Sequence, residues 1–214
     1  NQHAYDHTSP QETDRKYWPT LTSGKIYTSN FCPKPDRFIT RKTKVASAGS
    51  CFAVNIGNKL REWGYNYFIT EPPLPGLTDD EIRYGAYGKF NARYGTIFNI
   101  PSMRQLVERG MGLWEPKPLL YQYRGDATDM SDDGMWFDPY REGVHFKSPE
   151  DWAATYPRFK EAVQRVVLEA DVFVFTLGLT EVWYFLNDGS YLSRVPWNLV
   201  TGLLGKKVLT LEEN

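Results

Sequence analysis

A chain of 214 residues is long enough to bury the core of one substantial domain. Its 25 basic and 26 acidic residues nearly cancel and form no basic patch, which argues against nucleic acid or a membrane surface as a partner. No apolar run approaches the roughly 18–20 residues of a bilayer span. The opening sequence, NQHAYDHTSP, lacks the basic start and apolar centre of a signal peptide. Two cysteines are too few for a disulfide framework, which favours a reducing compartment and a cytoplasmic location.

The first segment, residues 1–38, is polar and is interrupted by four prolines. This composition predicts an extended N-terminal arm rather than a folded domain. The arm is one place where a protein partner could bind. Residues 39–214 are expected to form the domain itself.

A strand, a turn and a helix are predicted early in the domain. Residues 43–50, TKVASAGS, indicate a short strand that ends in small residues. A helix is expected to follow at once, with four large apolar side chains on one face: Phe52, Ile56, Leu60 and Trp63. Gly64 suits the left-handed position that ends a helix, and residues 65–70, YNYFIT, favour a second strand.

The middle of the chain is less regular. Residues 71–81 are typical of a loop, Gly95 lies in a tight segment, and a short helix is predicted to end near Gly110. An aromatic-rich insertion follows at about residues 111–147. Long loops in compact domains are usually functional or disordered, and the aromatic residues argue against disorder. The insertion is therefore interpreted either as a hairpin or lid on the core or as one wall of a substrate site.

A second helix-and-strand unit is predicted in the last third of the chain. Ser148 and Pro149 are typical of a helix start, and Pro157 is expected to bend or divide this helix. Its apolar face is predicted to contain Phe159, Val163, Val166, Val167 and Ala170. Residues 171–178, DVFVFTLG, indicate a strand buried on both faces. Strands that alternate with helices predict an α/β fold with a parallel sheet, whose sites gather at the carboxyl ends of the strands.

The thiol of Cys51 and the backbone of Gly178 both fall at such a strand end. A cysteine at the start of a helix lies in the field of unpaired N–H groups, which favours the reactive thiolate. Gly49 and Ser50 are small enough to let a substrate approach. Because free cysteines are also common in cores, these residues alone leave both a nucleophile and a packed core cysteine open.

Four blocks of sequence, in order, resemble the GSCFA family. The first, residues 39–71, contains AGSCFA, which is similar to the signature that gives the family its name. The others are RYGTIF at 93–98, DPYREG at 138–143 and ADVFVFTLGLTEVW at 170–183. The GSCFA family is in turn similar to the SGNH, or GDSL-type, hydrolases. This resemblance implies a flavodoxin-like three-layer α/β/α sandwich.

The resemblance also implies roles for individual residues. Gly49, Ser50 and Cys51 occupy the place of the SGNH Gly-Asp-Ser motif, which makes Cys51 the nucleophile and leaves Ser50 as a fallback. Gly95 and Thr180 match the positions that complete the oxyanion hole. Substrate-binding positions are expected at Ser50, Gly178 and Glu181, the last of which replaces an acidic residue of the SGNH motif.

The sequence departs from the SGNH pattern at its C-terminal end. SGNH enzymes carry an Asp-x-x-His pair there, whereas this chain has only His3, His7 and His145. We therefore expect the sequence to be either the N-terminal two-thirds of such a domain or a form that has lost its tail, with His145 as a candidate base.

Two functions follow from these observations. One is an esterase or acyltransferase that acts on an acyl or O-acetyl ester, with carbohydrate among the expected substrates. The other is an inactive SGNH-like module that binds or assembles with a partner. No cofactor and no metal are expected, because residues 126–134 do not follow the EF-hand pattern and residues 84–90 have no phosphate-binding spacing.

Overall fold

The computed structural model describes residues 38–117, 120–122, 134–193 and 201–214. Residues Arg41–Asn214 belong to one unit, and the predicted arm lies outside the described residues except for Phe38. The α-helices in the described ranges are α1 (Cys51–Glu62), α2 (Asp79–Tyr84), α3 (Ile100–Gly110) and α4 (Pro149–Glu169). The strands there are β1 (Val45–Gly49), β2 (Tyr121–Gln122), β3 (Trp136–Phe137), β4 (His145–Phe146), β5 (Val172–Thr176), β6 (Glu181–Phe185) and β7 (Leu204–Val208).

The predicted α/β fold with parallel strands is confirmed. Strands β1 and β5 pair in parallel, from Val45 opposite Val172 to Gly49 opposite Thr176. The carboxyl ends of the two strands therefore meet at one edge, as the sequence predicts for Cys51 and Gly178. The helices α1, α3 and α4 pack around this pair in one apolar core, whose buried members include Ala46, Ala48, Ala53, Leu106, Phe159 and Val163.

The predicted strand at 65–70 is reduced to a single bridge in which Tyr67 lies parallel to Val45. The side chain of Asn91 takes over the neighbouring hydrogen bonds. Its amide nitrogen donates to the carbonyls of Val45 at 3.2 Å and Phe68 at 2.7 Å, while its oxygen accepts from the Ser47 N–H at 2.7 Å. A side chain wedged between the two segments stops the ladder from continuing.

Helix α1 buries a different face from the predicted one. Phe52 and Trp63 are 64% and 61% exposed, whereas Ala53 and Gly57 are buried. The reason is the ring of Tyr67, because a Cβ at Gly57 would lie 2.6 Å from its Cζ atom. The helix packs closely through its small residues, and the large apolar ones stay near solvent.

Helix α4 begins as predicted, with the Ser148 hydroxyl accepting from the Asp151 N–H at 3.2 Å. The helix is not divided at Pro157, which lies inside a continuous helix on an exposed face. Phe159, Val163 and Val166 are buried as expected, but Val167 is exposed.

Strand β5 is less enclosed than its apolar sequence predicts. Phe173 is 37% exposed, and among the described residues β5 pairs with β1 alone. Burial on both faces requires cover that the described residues do not supply, so the prediction of a doubly buried strand is wrong for this part of the chain.

The aromatic insertion folds, where it is described, into the short antiparallel sheet β2-β3-β4. This arrangement favours the hairpin interpretation. Strands β6 and β7 form a separate antiparallel hairpin. Within the described ranges, no helix combines the length and hydropathy that a membrane span requires.

Candidate functional site

The turn between β1 and α1 is built around Gly49. Its φ angle is +144°, and a Cβ there would lie 1.9 Å from the Thr176 Oγ1 atom. Only glycine fits this conformation and this approach. The Ser50 N–H donates to the same Thr176 hydroxyl at 3.3 Å, so the two strand ends are tied together at the turn.

Cys51 is the first residue of α1 and carries an exposed, free thiol. Ser50 precedes it as the N-cap and accepts from the Phe52 N–H at 3.2 Å. The first turn of α1 contains no acidic residue, so the positive end of the helix dipole lies beside the thiol unopposed within that turn. The turn therefore presents a positive partial charge to a group bound beside Cys51.

Three sequence blocks meet at this turn. The Ile97 N–H donates to the Gly49 carbonyl at 3.0 Å, which joins the RYGTIF block to the end of β1. The Gly178 N–H donates to the Phe98 carbonyl at 2.9 Å, which joins the same block to the end of β5. The segments that carry Cys51, Gly95 and Gly178 are thus held together by backbone hydrogen bonds.

Gly95 is buried and packs against the backbone of the DPYREG block. Its φ angle is +74°, and a Cβ there would lie 2.3 Å from the Glu142 carbonyl oxygen. The Thr96 N–H donates to that carbonyl at 3.2 Å. The structure therefore gives Gly95 a packing role, and its N–H as an oxyanion donor stays a prediction.

Beneath Gly95 lies a buried cluster of charges that the sequence did not reveal. The Arg141 Nε donates to the Arg93 carbonyl at 2.7 Å, and its guanidinium lies 3.7 Å from the centre of the Phe159 ring. Burial and the nearby charge of Arg93 lower the pKa of Arg141 to about 9. The Glu71 carboxylate accepts from the Arg93 N–H at 2.8 Å.

The second half of this cluster is a buried ion pair. The Arg109 Nη2 lies 2.6 Å from the Asp138 Oδ2, and the two side chains are 1% and 2% exposed. Burial alone would raise the pKa of Asp138, but the charges of Arg109 and Arg141 hold it below its ordinary value. These charges fix the DPYREG block, and through it the segment of Gly95.

The remaining predicted residues, which follow the end of β5, are exposed. Thr180 is exposed, and its carbonyl accepts from the Leu209 N–H at 2.8 Å. Glu181 begins β6 and pairs with the Lys206 ammonium at 3.0 Å across the hairpin. Gly178 is exposed, and a Cβ there would lie 3.1 Å from the Phe98 ring.

His145 belongs to another part of the fold. It lies in β4, opposite Phe137 in the small antiparallel sheet, whereas Cys51 follows β1 in the parallel sheet. His3 and His7 lie outside the described residues. In the described part of the chain, no cluster of three or more His, Cys, Asp or Glu side chains could hold a metal ion.

Thr176 is the residue of this turn that the sequence did not single out. Its hydroxyl accepts from Ser50 and occupies the space that a Gly49 side chain would need. The register of β1 against β5 is what reveals it, because Thr176 stands directly opposite Gly49.

Comparison with known families gives one match. The model of the GSCFA family matches residues 44–214, which contain the four blocks from Lys44 on. No curated protein matches the chain significantly, and no solved structure does.

Proposed function

The chain belongs to the GSCFA family, and from this premise we propose that it is an esterase or acyltransferase with Cys51 as its nucleophile. The observation that carries the proposal is the exposed, free thiol of Cys51 at the start of α1. It stands where two parallel strands end, the usual place of sites in α/β sheets. The same premise leads us to propose the flavodoxin-like SGNH sandwich as the complete fold, which the parallel pair β1 and β5 supports.

The reaction we propose has two steps. The Cys51 thiolate attacks the ester carbonyl carbon and the carbonyl oxygen becomes an oxyanion; the C–O bond then breaks, and the departing alkoxide takes a proton from solvent water to leave as the alcohol, with a thioester left behind. Water or an acceptor hydroxyl then attacks the thioester carbon and gives up its proton to solvent, and the C–S bond breaks to return the thiolate. Water gives hydrolysis, and another hydroxyl gives acyl transfer.

The oxyanion needs hydrogen-bond donors close to the thiol. We assign this role to the N–H groups of Cys51 and Gly95 and to the hydroxyl of Thr180. The Cys51 N–H is one of the free N–H groups at the start of α1, and the hydrogen bond from Ile97 to Gly49 brings the Gly95 segment to the same turn. Ser50, Gly178 and Glu181 are proposed to contact the substrate around this centre.

The demand on a general base is smaller for a thiol than for a serine hydroxyl, because a thiol ionises far more readily. His145 is the one histidine that the described residues contain, and because it lies in a different sheet from the turn at Cys51 we assign it no role as the base. We also propose a small-molecule or carbohydrate acyl ester as the substrate and a cytoplasmic location.

One observation favours a second function, a binding module without turnover. Gly95 is buried against the Glu142 backbone, and an oxyanion donor must be reached by substrate. In this alternative the turn at Cys51 is a structural remnant. The protein would then bind a partner through its arm or its aromatic insertion.

An ester panel separates the two functions. We expect the wild-type protein to hydrolyse nitrophenyl acyl esters, and Cys51→Ala to lose about 1,000-fold or more in kcat/KM. Cys32→Ala is the matched control and should keep wild-type turnover. Iodoacetamide should label Cys51 far faster than Cys32. The absence of turnover by the wild-type protein would favour the binding module. Equal labelling of the two thiols, or equal turnover by wild type and Cys51→Ala, would refute Cys51 as the nucleophile.

A further inference from the structure

A cleft of about 450 Å³ lies beside helix α3, outside the turn that carries Cys51. One wall is the face of α3 with Arg104, Gln105 and Glu108, and the other includes Asp188 and Tyr191. Trp114 lines the cleft as well. This volume falls within the range of small-molecule sites, which typically combine aromatic faces with a few polar groups.

The two walls are fixed to each other. The Gln105 Nε2 donates to the Tyr191 carbonyl at 2.8 Å, and the Tyr191 N–H donates back to the Gln105 Oε1 at 2.9 Å. Trp114 is held edge-on against Tyr140 with ring centres 5.3 Å apart. The cleft is therefore preformed and needs little ordering when a ligand binds.

Behind the cleft lies a chamber of about 10 Å³ that shares Gln105, Trp114 and Tyr191 with it. Ser102 lines this chamber and is 7% exposed. Its hydroxyl has no hydrogen-bond partner among the described residues. A chamber of this size holds about one water molecule, which could bond to the Ser102 hydroxyl next to the cleft.

The charged lining of the cleft consists of four carboxylates and one guanidinium: Glu108, Asp188, Glu212, Glu213 and Arg104. Glu108 pairs with the Arg104 Nε at 2.7 Å, and on the opposite side Glu213 pairs with the Lys207 ammonium at 2.7 Å. The Asp188 carboxylate accepts from the N–H of Ser190 at 2.9 Å. Because Glu108, Glu213 and Asp188 each already accept a hydrogen bond from a neighbouring donor, their remaining lone pairs can accept from ligand hydroxyls, whereas an acyl chain would meet the carboxylates. Hydroxyl groups, which both donate and accept, suit the whole set.

The cleft also lies close to the candidate nucleophile. Helix α3 begins at Ile100, which lines the cleft, and Ile97 is hydrogen-bonded to Gly49. Three residues of chain span at most about 11 Å. The two residues from Gly49 to Cys51 add at most about 7 Å, so the near end of the cleft lies within roughly 20 Å of Cys51, a distance that an oligosaccharide can span.

From these observations we propose that the cleft binds a carbohydrate ring, the alcohol part of the ester that Cys51 attacks. The apolar faces of the ring stack on Trp114 and Tyr191, and its hydroxyls bond to Asp188, Glu108 and Arg104. The link between the bound carbohydrate and the ester that Cys51 attacks rests on the proposed function. Binding of the carbohydrate in the cleft does not depend on the thiol.

Binding is therefore measured on the Cys51→Ala protein by saturation-transfer difference NMR with methyl glucoside, methyl galactoside and methyl N-acetylglucosaminide. We expect at least one glycoside to bind with a Kd of about 1–10 mM. Trp114→Ala should weaken that binding at least tenfold, and Trp63→Ala, which removes an exposed tryptophan of α1, should leave it unchanged. Asp188→Asn should weaken it as well, and circular dichroism checks that each variant is folded.

Three results would overturn the assignment. They are the absence of a glycoside signal at about 20 mM, glycoside binding by the Trp114→Ala and Asp188→Asn proteins as tight as by the parent Cys51→Ala protein, and tighter binding of cadaverine, a cationic probe, than of any glycoside. Glycoside binding without ester turnover by the wild-type protein would instead refute the proposed enzyme and leave the carbohydrate site standing.

Discussion

Replacing Gly49 by alanine tests whether the turn before Cys51 is built as described. The new Cβ would lie 1.9 Å from the Thr176 Oγ1 and 2.7 Å from the Thr176 carbonyl oxygen, at a φ angle of +144°. Backbone strain in such a conformation costs about 1–3 kcal/mol, and forced overpacking costs about 1–3 kcal/mol more. We expect a total loss of about 4 kcal/mol in the free energy of unfolding.

The assay is thermal unfolding followed by circular dichroism. A loss of about 4 kcal/mol lowers the Tm by roughly 8–16 °C in a domain of this size. Gly76→Ala is the matched control, because Gly76 also has a positive φ of +86° but has no atom within 4 Å of its added Cβ. The Gly76→Ala protein has the backbone strain without a steric clash, and its free energy of unfolding should fall by about 1–2 kcal/mol.

The double variant with Thr176→Ala isolates the clash. Removing the Thr176 hydroxyl should restore about 1 kcal/mol to the Gly49→Ala protein, within the usual range of coupling between contacting residues. The carbonyl at 2.7 Å remains and prevents full recovery. If Gly49→Ala and Gly76→Ala lose the same stability, the close approach of β1 and β5 at this turn is wrong.

Three further predictions concern the buried framework. Asp138→Asn leaves the buried Arg109 without its charged partner and should lower the free energy of unfolding, measured with denaturant, by about 3–5 kcal/mol. The control Asp80→Asn removes an exposed ion pair with Arg83 and should cost less than about 1 kcal/mol. Equal losses in the two variants would contradict the buried pair. Gly57→Ala should lower the Tm because the new Cβ would lie 2.6 Å from the Tyr67 ring. Alanine normally stabilises a helix interior, so a rise in Tm would refute this packing. Burial raises the pKa of Tyr67 from 10.0 to about 12, so the folded state keeps a proton that the unfolded state loses, and stability should fall as pH rises from 10 to 12. Tyr67→Phe should make that fall shallower by up to about 1.4 kcal/mol per pH unit, and an unchanged slope would argue against the buried hydroxyl.

Local signals in the sequence predicted much of the secondary structure. The N-cap at Ser148 and the left-handed Gly64 at the end of α1 were visible because capping depends on neighbouring residues alone. The resemblance carried by AGSCFA and the later blocks also led to the right family. The meeting of Cys51 and Gly178 followed from the general geometry of parallel sheets.

Contacts between distant segments were what the sequence did not reveal. Helix periodicity selects large apolar side chains, so it pointed to Phe52 and Trp63 rather than to the small Gly57 that fits Tyr67. The exposure of β5 depends on which other segments pack over it, and the run of apolar residues in its own sequence does not identify those segments.

The charged framework was hidden for the same reason. Arg93 lies 22 residues from Glu71, and Arg109 lies 29 residues from Asp138. Charged residues are usually exposed, so no pattern along the chain marked these four as buried partners. Thr176 likewise gained its role only from the register of β5 against β1.

The most direct test of the account is the identity of the residue that becomes acylated. The wild-type protein is mixed with nitrophenyl acetate, quenched in acid during the first turnover, and digested for mass spectrometry. We expect one acetyl group on the peptide that contains Cys51, attached at the thiol and removed by hydroxylamine. Turnover with the acetyl group on Ser50 or elsewhere, or the absence of both turnover and label, would contradict it.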